Sequence, residues 1–170
     1  MPDLDLPTLR RKAGTAALLA FRYLPGPLKR RLVRVGTPNY TVGAVCVLEH
    51  EGQVLMLGQP HRRGWSLPGG LVHPGETPAE GVVREVREEV GLDIDPGDQV
   101  AVGFHPHSQS IDVIYRVVVQ ERPEVSLSSE PRRFRWWDPD DLDDTDRETR
   151  QIVAQLRRAE MPPRPGRLLS

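Results

Sequence analysis

A single cysteine, Cys46, excludes any disulfide within the chain and fits a reducing compartment. It lies inside the apolar run TVGAVCVL, where a small buried core residue is expected rather than a nucleophile. Lysine is nearly missing: two of the 23 basic residues are Lys and 21 are Arg. Guanidinium forks match carboxylates and phosphates, but their abundance makes any one arginine a weak signal. Aromatics make up only 5% of the chain. Long apolar runs are absent too, because the stretch starting at Ala16 reaches only to about Leu24 and is broken by Arg22, too short to span a bilayer. No small-residue cleavage site follows it and acids precede the basic residues, so a secretory signal is not expected and the cytoplasm is. The net charge of −1 gives no general attraction for nucleic acid.

What is present describes one ordinary domain with extensions. Hydrophobic residues at 38% and charged residues at 28% of 170 fit neither a disordered nor a fibrous nor a membrane chain. The near-neutral total hides an asymmetry: residues 1–35 carry eight Lys/Arg against Asp3 and Asp5, so they hold +6 and the remainder −7. Such an extension could meet a polyanion or a membrane surface, or be a solvated helix face. Residues 8–24 have helical character, Pro25-Gly26-Pro27 breaks it, and a second short basic turn follows at 28–34. TVGAVCVL is apolar on both alternations, as in a central strand, and His50-Glu51-Gly52 turns it into QVLMLG, a β-hairpin. DQVAVGF, IDVIYRVVVQE and FRWW read as later strands, residues 122–133 as a polar loop, and residues 147–158 as a closing helix. The tail MPPRPGRLLS has too much Pro and Gly to be helical and reads as loosely held.

The most informative segment is residues 70–92, GLVHPGETPAEGVVREVREEVGL. Thr77 can cap a helix, Pro78 suits its first position, Glu80 completes a capping box, and Gly91 stands where a left-handed C-cap is wanted. Ala79, Val82, Val83, Val86 and Val90 form an apolar stripe, so one face packs while another offers Glu85, Glu88 and Glu89. At spacings of three and four these carboxylates can converge on a hard divalent cation, without which like charges are costly.

Written as G-x5-E-x7-R-E-V-x-E-E-x-G-L, the segment resembles the signature of the Nudix hydrolases, with every fixed position filled over 23 residues. The resemblance weakens outside the box but extends from about Tyr40 to Leu142. It implies an α/β protein with the Nudix fold, a mixed β-sheet between helices. It divides the chain into a basic helical extension (1–38), a Nudix hydrolase domain (39–160) and a flexible tail (161–170). Carried over by position, Glu85, Glu88 and Glu89 would ligate Mg²⁺, or Mn²⁺ in its place, helped by the Gly70 carbonyl. Arg84 would orient a glutamate of the cluster, Glu76 would frame the loop, and Glu130 resembles an extra acid supplied from a loop. Glu88, Glu89, Glu130 and Arg84 are thus the expected catalytic group, with the general base open between Glu130 and one of the cluster.

The implied reaction is cleavage of the pyrophosphate bond in a nucleoside diphosphate joined to another moiety: a nucleoside triphosphate, ADP-ribose or a sugar nucleotide, or a dinucleotide or capped RNA end. A small-molecule nucleotide is the expected partner, and residues 8–34 could also supply a homodimer interface. Arg62 and Arg63 are candidate phosphate clamps, and Trp65 either stacks on a base or packs under the loop. Trp136 and Trp137 must face opposite ways on their strand. His105 and His107 fit substrate contact or surface exposure better than zinc. Two other classes remain: a Nudix-like module that senses nucleotides without cleaving them, and an isopentenyl diphosphate isomerase, which would need a cysteine beside its substrate.

Overall fold

The computed structural model describes residues 21–60, 62, 64–128, 131, 133–141, 144–145 and 147–169. The chain divides into two units, Met1–Asn39 and Tyr40–Ser170. In the first, helix α1 (Gly26–Gly36) starts after Pro25. The helical character expected from residue 8 lies, up to residue 20, outside the described residues.

The second unit is built on a mixed sheet. Strand β1 (Thr41–His50) runs parallel to β7 (Ser110–Val118), from Thr41 opposite Ser110 to Glu49 opposite Val118. Strand β2 (Gln53–Gly58) returns antiparallel to β1 through Glu51 and Gly52, both at positive φ, while His50, which the sequence pattern places in the turn, is the last residue of β1 and pairs with Gln53. Strands β3 (Trp65–Ser66) and β8 (Arg133–Trp137) pair with β2, β4 (Gly69–Leu71) pairs with β1, and β6 (Ala101–His105) extends the sheet beyond β7.

Two helices cover the sheet because its central strands are apolar on both faces. Ala44, Cys46 and Leu48 of β1 join Val82, Val86 and Val90 of helix α2 (Pro78–Val90) in one core. Val47 points the other way, with Met56, Trp65, Ile114 and Trp137, toward Ile152 and Val153 of helix α3 (Arg147–Leu156). Each fully buried aliphatic stabilises by about 1.5–3 kcal/mol, so the valine stripe fixes how α2 lies more firmly than any exposed ion pair can. Trp137 faces the α3 core while Trp136 packs against the α2 core, the opposed arrangement that adjacent strand residues require.

The tail contributes one short strand. Arg167 and Leu168 form strand β9 (Arg167–Leu168), antiparallel to β5 (Ile94–Asp95), and Leu169 N–H donates to the Asp93 carbonyl at 2.8 Å. Pro and Gly did exclude a helix there, but Leu168 packs against the α2 core and holds the segment in place.

Candidate active site

Helix α2 is anchored at both ends by local bonds. Thr77 Oγ1 accepts from Glu80 N–H and the Glu80 carboxylate accepts from Thr77 N–H, completing the capping box, while Gly91 ends α2 in the left-handed region at φ 71°. These local bonds satisfy backbone groups that a helix end leaves open and fix where its residues point. The loop ahead of it is tied to the same helix: Arg84 donates from Nε to Glu76 Oε1 at 2.8 Å and from Nη2 to Glu76 Oε2 at 3.1 Å and the Leu71 carbonyl at 3.0 Å. The Arg84 hydrogen bond, aided by His73 N–H, holds the Glu76 carboxyl down at about 2 from an ordinary 4.5. Glu76 in turn raises the Arg84 pKa further.

Arg84 also gathers the first two acids of the cluster. Its Nη1 donates to Glu85 Oε1 at 2.7 Å and to Glu88 Oε2 at 3.2 Å. Glu89 is held elsewhere: it is 5% exposed, its Oε1 accepts from Gln59 Nε2, and its Oε2 accepts from Gly69 N–H at 2.9 Å. The three acids are thus held by different partners, and among the described residues no three Asp, Glu, His or Cys side chains are gathered closely enough to hold an ion. The donors nonetheless suit a hard divalent cation. Glu76, Glu85 and Glu88 share one guanidinium, leaving anionic charge in excess, and Glu88 is 61% exposed and open to a further partner. Gly70 leaves the space the Glu85 carboxylate uses: a Cβ there would lie 2.5 Å from Glu85 Oε1.

Gly69 and Gly70 line a cavity of about 260 Å³ with Gly43, Arg62, Asp112 and Glu148. Through Arg62, Ser108 and Glu148 it shares walls with a larger one of about 770 Å³, which His105, His107, Arg147, Gln155 and Arg158 also line. Arg62 therefore stands where both spaces meet, beside the box. Arg63 and Glu130 lie outside the described residues. Trp65 does not face either cavity: it is 8% exposed, its ring meets Trp137 edge-on at 5.4 Å, and the Arg133 guanidinium lies 4.8 Å from its centroid. Of the two roles the sequence left open for it, core packing is the one its surroundings match. Cys46 is fully buried and its thiol is pushed up to about 12 by that burial, so it cannot serve as a nucleophile.

Four contributors were not singled out in the sequence. Gln59 positions Glu89 from 30 residues away, and nothing in its local pattern announces this. Asp112 lies against Gly43, and its Oδ2 is 3.2 Å from Nε2 of His105, a nitrogen with no hydrogen-bond partner among the described residues. A signal for Asp112 existed, since it is a carboxylate in the middle of an apolar strand, on the alternation of the buried Ile114. Arg147 and Arg158 bring cations from the closing helix and the turn after it.

The family model for the NUDIX domain matches residues 37–156. A Bacillus subtilis (strain 168) protein, YjhB, provisionally named an ADP-ribose pyrophosphatase, is 46% identical over 59 residues, 34% of this chain and 28% of that protein. A second B. subtilis protein, provisionally named an 8-oxo-dGTP diphosphatase, is 31% identical over 101 residues, 59% of this chain and 68% of that one. The match to the first of these relatives thus spans little more than a quarter of its length. Among solved structures, the MutT protein from Methanosarcina mazei Go1 superposes with a TM-score of 0.61 at 27% identity, covering 71% of this chain and 94% of that one.

Proposed function

The chain belongs to the Nudix hydrolase family, and from that premise we propose that it is a Mg²⁺-dependent pyrophosphohydrolase of a small nucleoside diphosphate derivative, with Mn²⁺ as an alternative ion, working in the cytoplasm. The observation that carries this reading is the complete box folded beside a cavity: Glu85 and Glu88 fixed by Arg84, Glu89 fixed by Gln59 and Gly69, all next to the space that Gly69 and Gly70 line. Glu85, Glu88, Glu89 and the Gly70 carbonyl would hold the cation. When bound, such an ion neutralises phosphate oxygens and lowers the pKa of a water it carries from about 15.7 toward 7.

The remaining tasks fall to this chain's own groups. Arg62 stands at the junction of the two cavities and offers a fork for phosphate oxygens. The larger cavity takes the nucleoside, with Arg147 and Arg158 available to a second anionic group. The proton acceptor is Glu130 or one of the cluster. The provisionally named relatives point to ADP-ribose and oxidised nucleotides, which sets the substrates to try first.

The test is a panel of ADP-ribose, 8-oxo-dGTP, ordinary nucleoside triphosphates, dinucleotides and triphosphorylated or NAD-capped RNA, with Mg²⁺, with Mn²⁺, and with chelator. Products are identified by mass. Cleavage between phosphorus atoms that stops on chelation is expected for at least one class. Tight binding of a nucleotide with no turnover in either ion would make the chain a sensing module instead.

A further inference from the structure

Helix α1 is short, basic and has no buried residue. Residues 21–39 carry Arg22, Lys29, Arg30, Arg31 and Arg34 and no Asp or Glu, a charge of +5 within a chain whose total is −1. Among the described residues the hydrogen bonds of this helix are local: Lys29 N–H donates to the Pro25 carbonyl at 3.0 Å, Thr37 Oγ1 to the Val33 carbonyl at 2.7 Å, and Asn39 Nδ2 to the Arg34 carbonyl at 2.8 Å. Leu28, Leu32 and Val35, spaced by four and three, stand on one face, yet no residue of the helix is buried and these three are 44%, 47% and 83% exposed. Arg31 and Lys29 flank that stripe and Arg30 and Arg34 project behind it. Lys29 is drawn back to the Arg22 carbonyl at 2.7 Å, and among the described residues Arg30, Arg31 and Arg34 make no ion pair.

We propose that α1 is an interfacial anchor that lays its Leu28, Leu32 and Val35 stripe into a membrane surface rich in anionic lipid. Two unsatisfied features share one short helix, and the partner must answer both. A solvated face accounts for the cations and leaves the aliphatic stripe in water. A nucleic acid answers the phosphate-binding charge but offers nothing to aliphatic side chains, and a protein groove would have to be both apolar and strongly acidic. Anionic headgroups above acyl chains supply both at the right depth, with arginines reaching up to the headgroups while leucines sink below them. At 11 residues the helix lies on the surface, and no described helix is long and apolar enough to cross a membrane.

The proposal is independent of the hydrolase reading, and its experiment does not use turnover. The full chain is sedimented with vesicles of phosphatidylcholine alone and of phosphatidylcholine with phosphatidylglycerol. Binding is expected only to the mixed vesicles, falling as salt shortens the reach of charge to about 3 Å at 1 M. The triple variant R30A/R31A/R34A should lose about a hundredfold in partitioning, at about fivefold per cation removed, and L28S/L32S should lose binding at unchanged charge. Both should keep the thermal midpoint of the parent chain, which shows that the fold survives. No pelleting with either vesicle, or equal pelleting with both, overturns the proposal. So does release from the vesicles by an RNA oligonucleotide that L28S/L32S binds as well as the parent, or a dimer without lipid that L28S/L32S abolishes.

Discussion

Glu88 and Glu89 are neighbours in sequence with opposite surroundings, and the same substitution should do different things to each. Glu88 is 61% exposed and touches Arg84 at 3.2 Å, so Glu88→Gln should leave stability within about 0.5 kcal/mol while lowering turnover by about 10²–10⁴-fold. Glu89 is buried between Gln59 Nε2 and Gly69 N–H, two donors. An amide in its place turns a third donor toward one of them, and the unsatisfied pair should cost about 1–3 kcal/mol in urea unfolding in addition to the loss of activity. Equal unfolding midpoints for the two variants would show that the Gln59 and Gly69 contacts do not orient Glu89. The carboxylates themselves were legible because their signature is local, within one helix and its loop. Gln59 and Asp112 were not, since each acts on residues that only the folded sheet brings near.

Elements were legible where their ends are decided locally. Thr77, Glu80 and Gly91 announced α2 to the residue, and the structure places its caps there. The parallel pairing of β1 with β7 and the pairing of β5 with β9 join segments about 70 residues apart, and no short-range pattern encodes which strand meets which. The junction of α2 with its leading loop carries a pH dependence of known sign. Glu76 titrates at about 2 in the folded chain and at 4.5 when unperturbed, so its contribution is fully present above 4.5 and disappears as pH falls through 2. Thermal midpoints measured across that window should therefore drop more steeply for the parent chain than for Glu76→Gln, which lacks the titrating group. Parallel curves for the two would mean that Arg84 does not hold the loop to the helix. The comparison is cleanest in low salt, because the Glu76 and Arg84 side chains are 24% and 21% exposed and partly screened.

At the scale of the whole molecule, the α2 core is closed by the far end of the chain. Ile94, opposite Leu168 in the two-stranded sheet, is 2% exposed, Leu168 packs on the same cluster, and Gly166 N–H donates to the Arg116 carbonyl at 3.2 Å. Composition alone made this tail look loose, because Pro and Gly rule out a helix and say nothing about a strand partner. Deletion of residues 165–170 separates the two descriptions. A loose tail would shift stability by no more than about 0.5 kcal/mol. The paired tail should cost about 2–4 kcal/mol, adding the lost burial of Leu168 and Ile94 to backbone hydrogen bonds of about 1 kcal/mol each. Leu168→Ala isolates the packing share and should account for about half of that loss, while Leu168→Ile keeps the volume and should recover most of it. A deletion that unfolds at the parent's urea midpoint would show that β9 adds nothing to the core it covers.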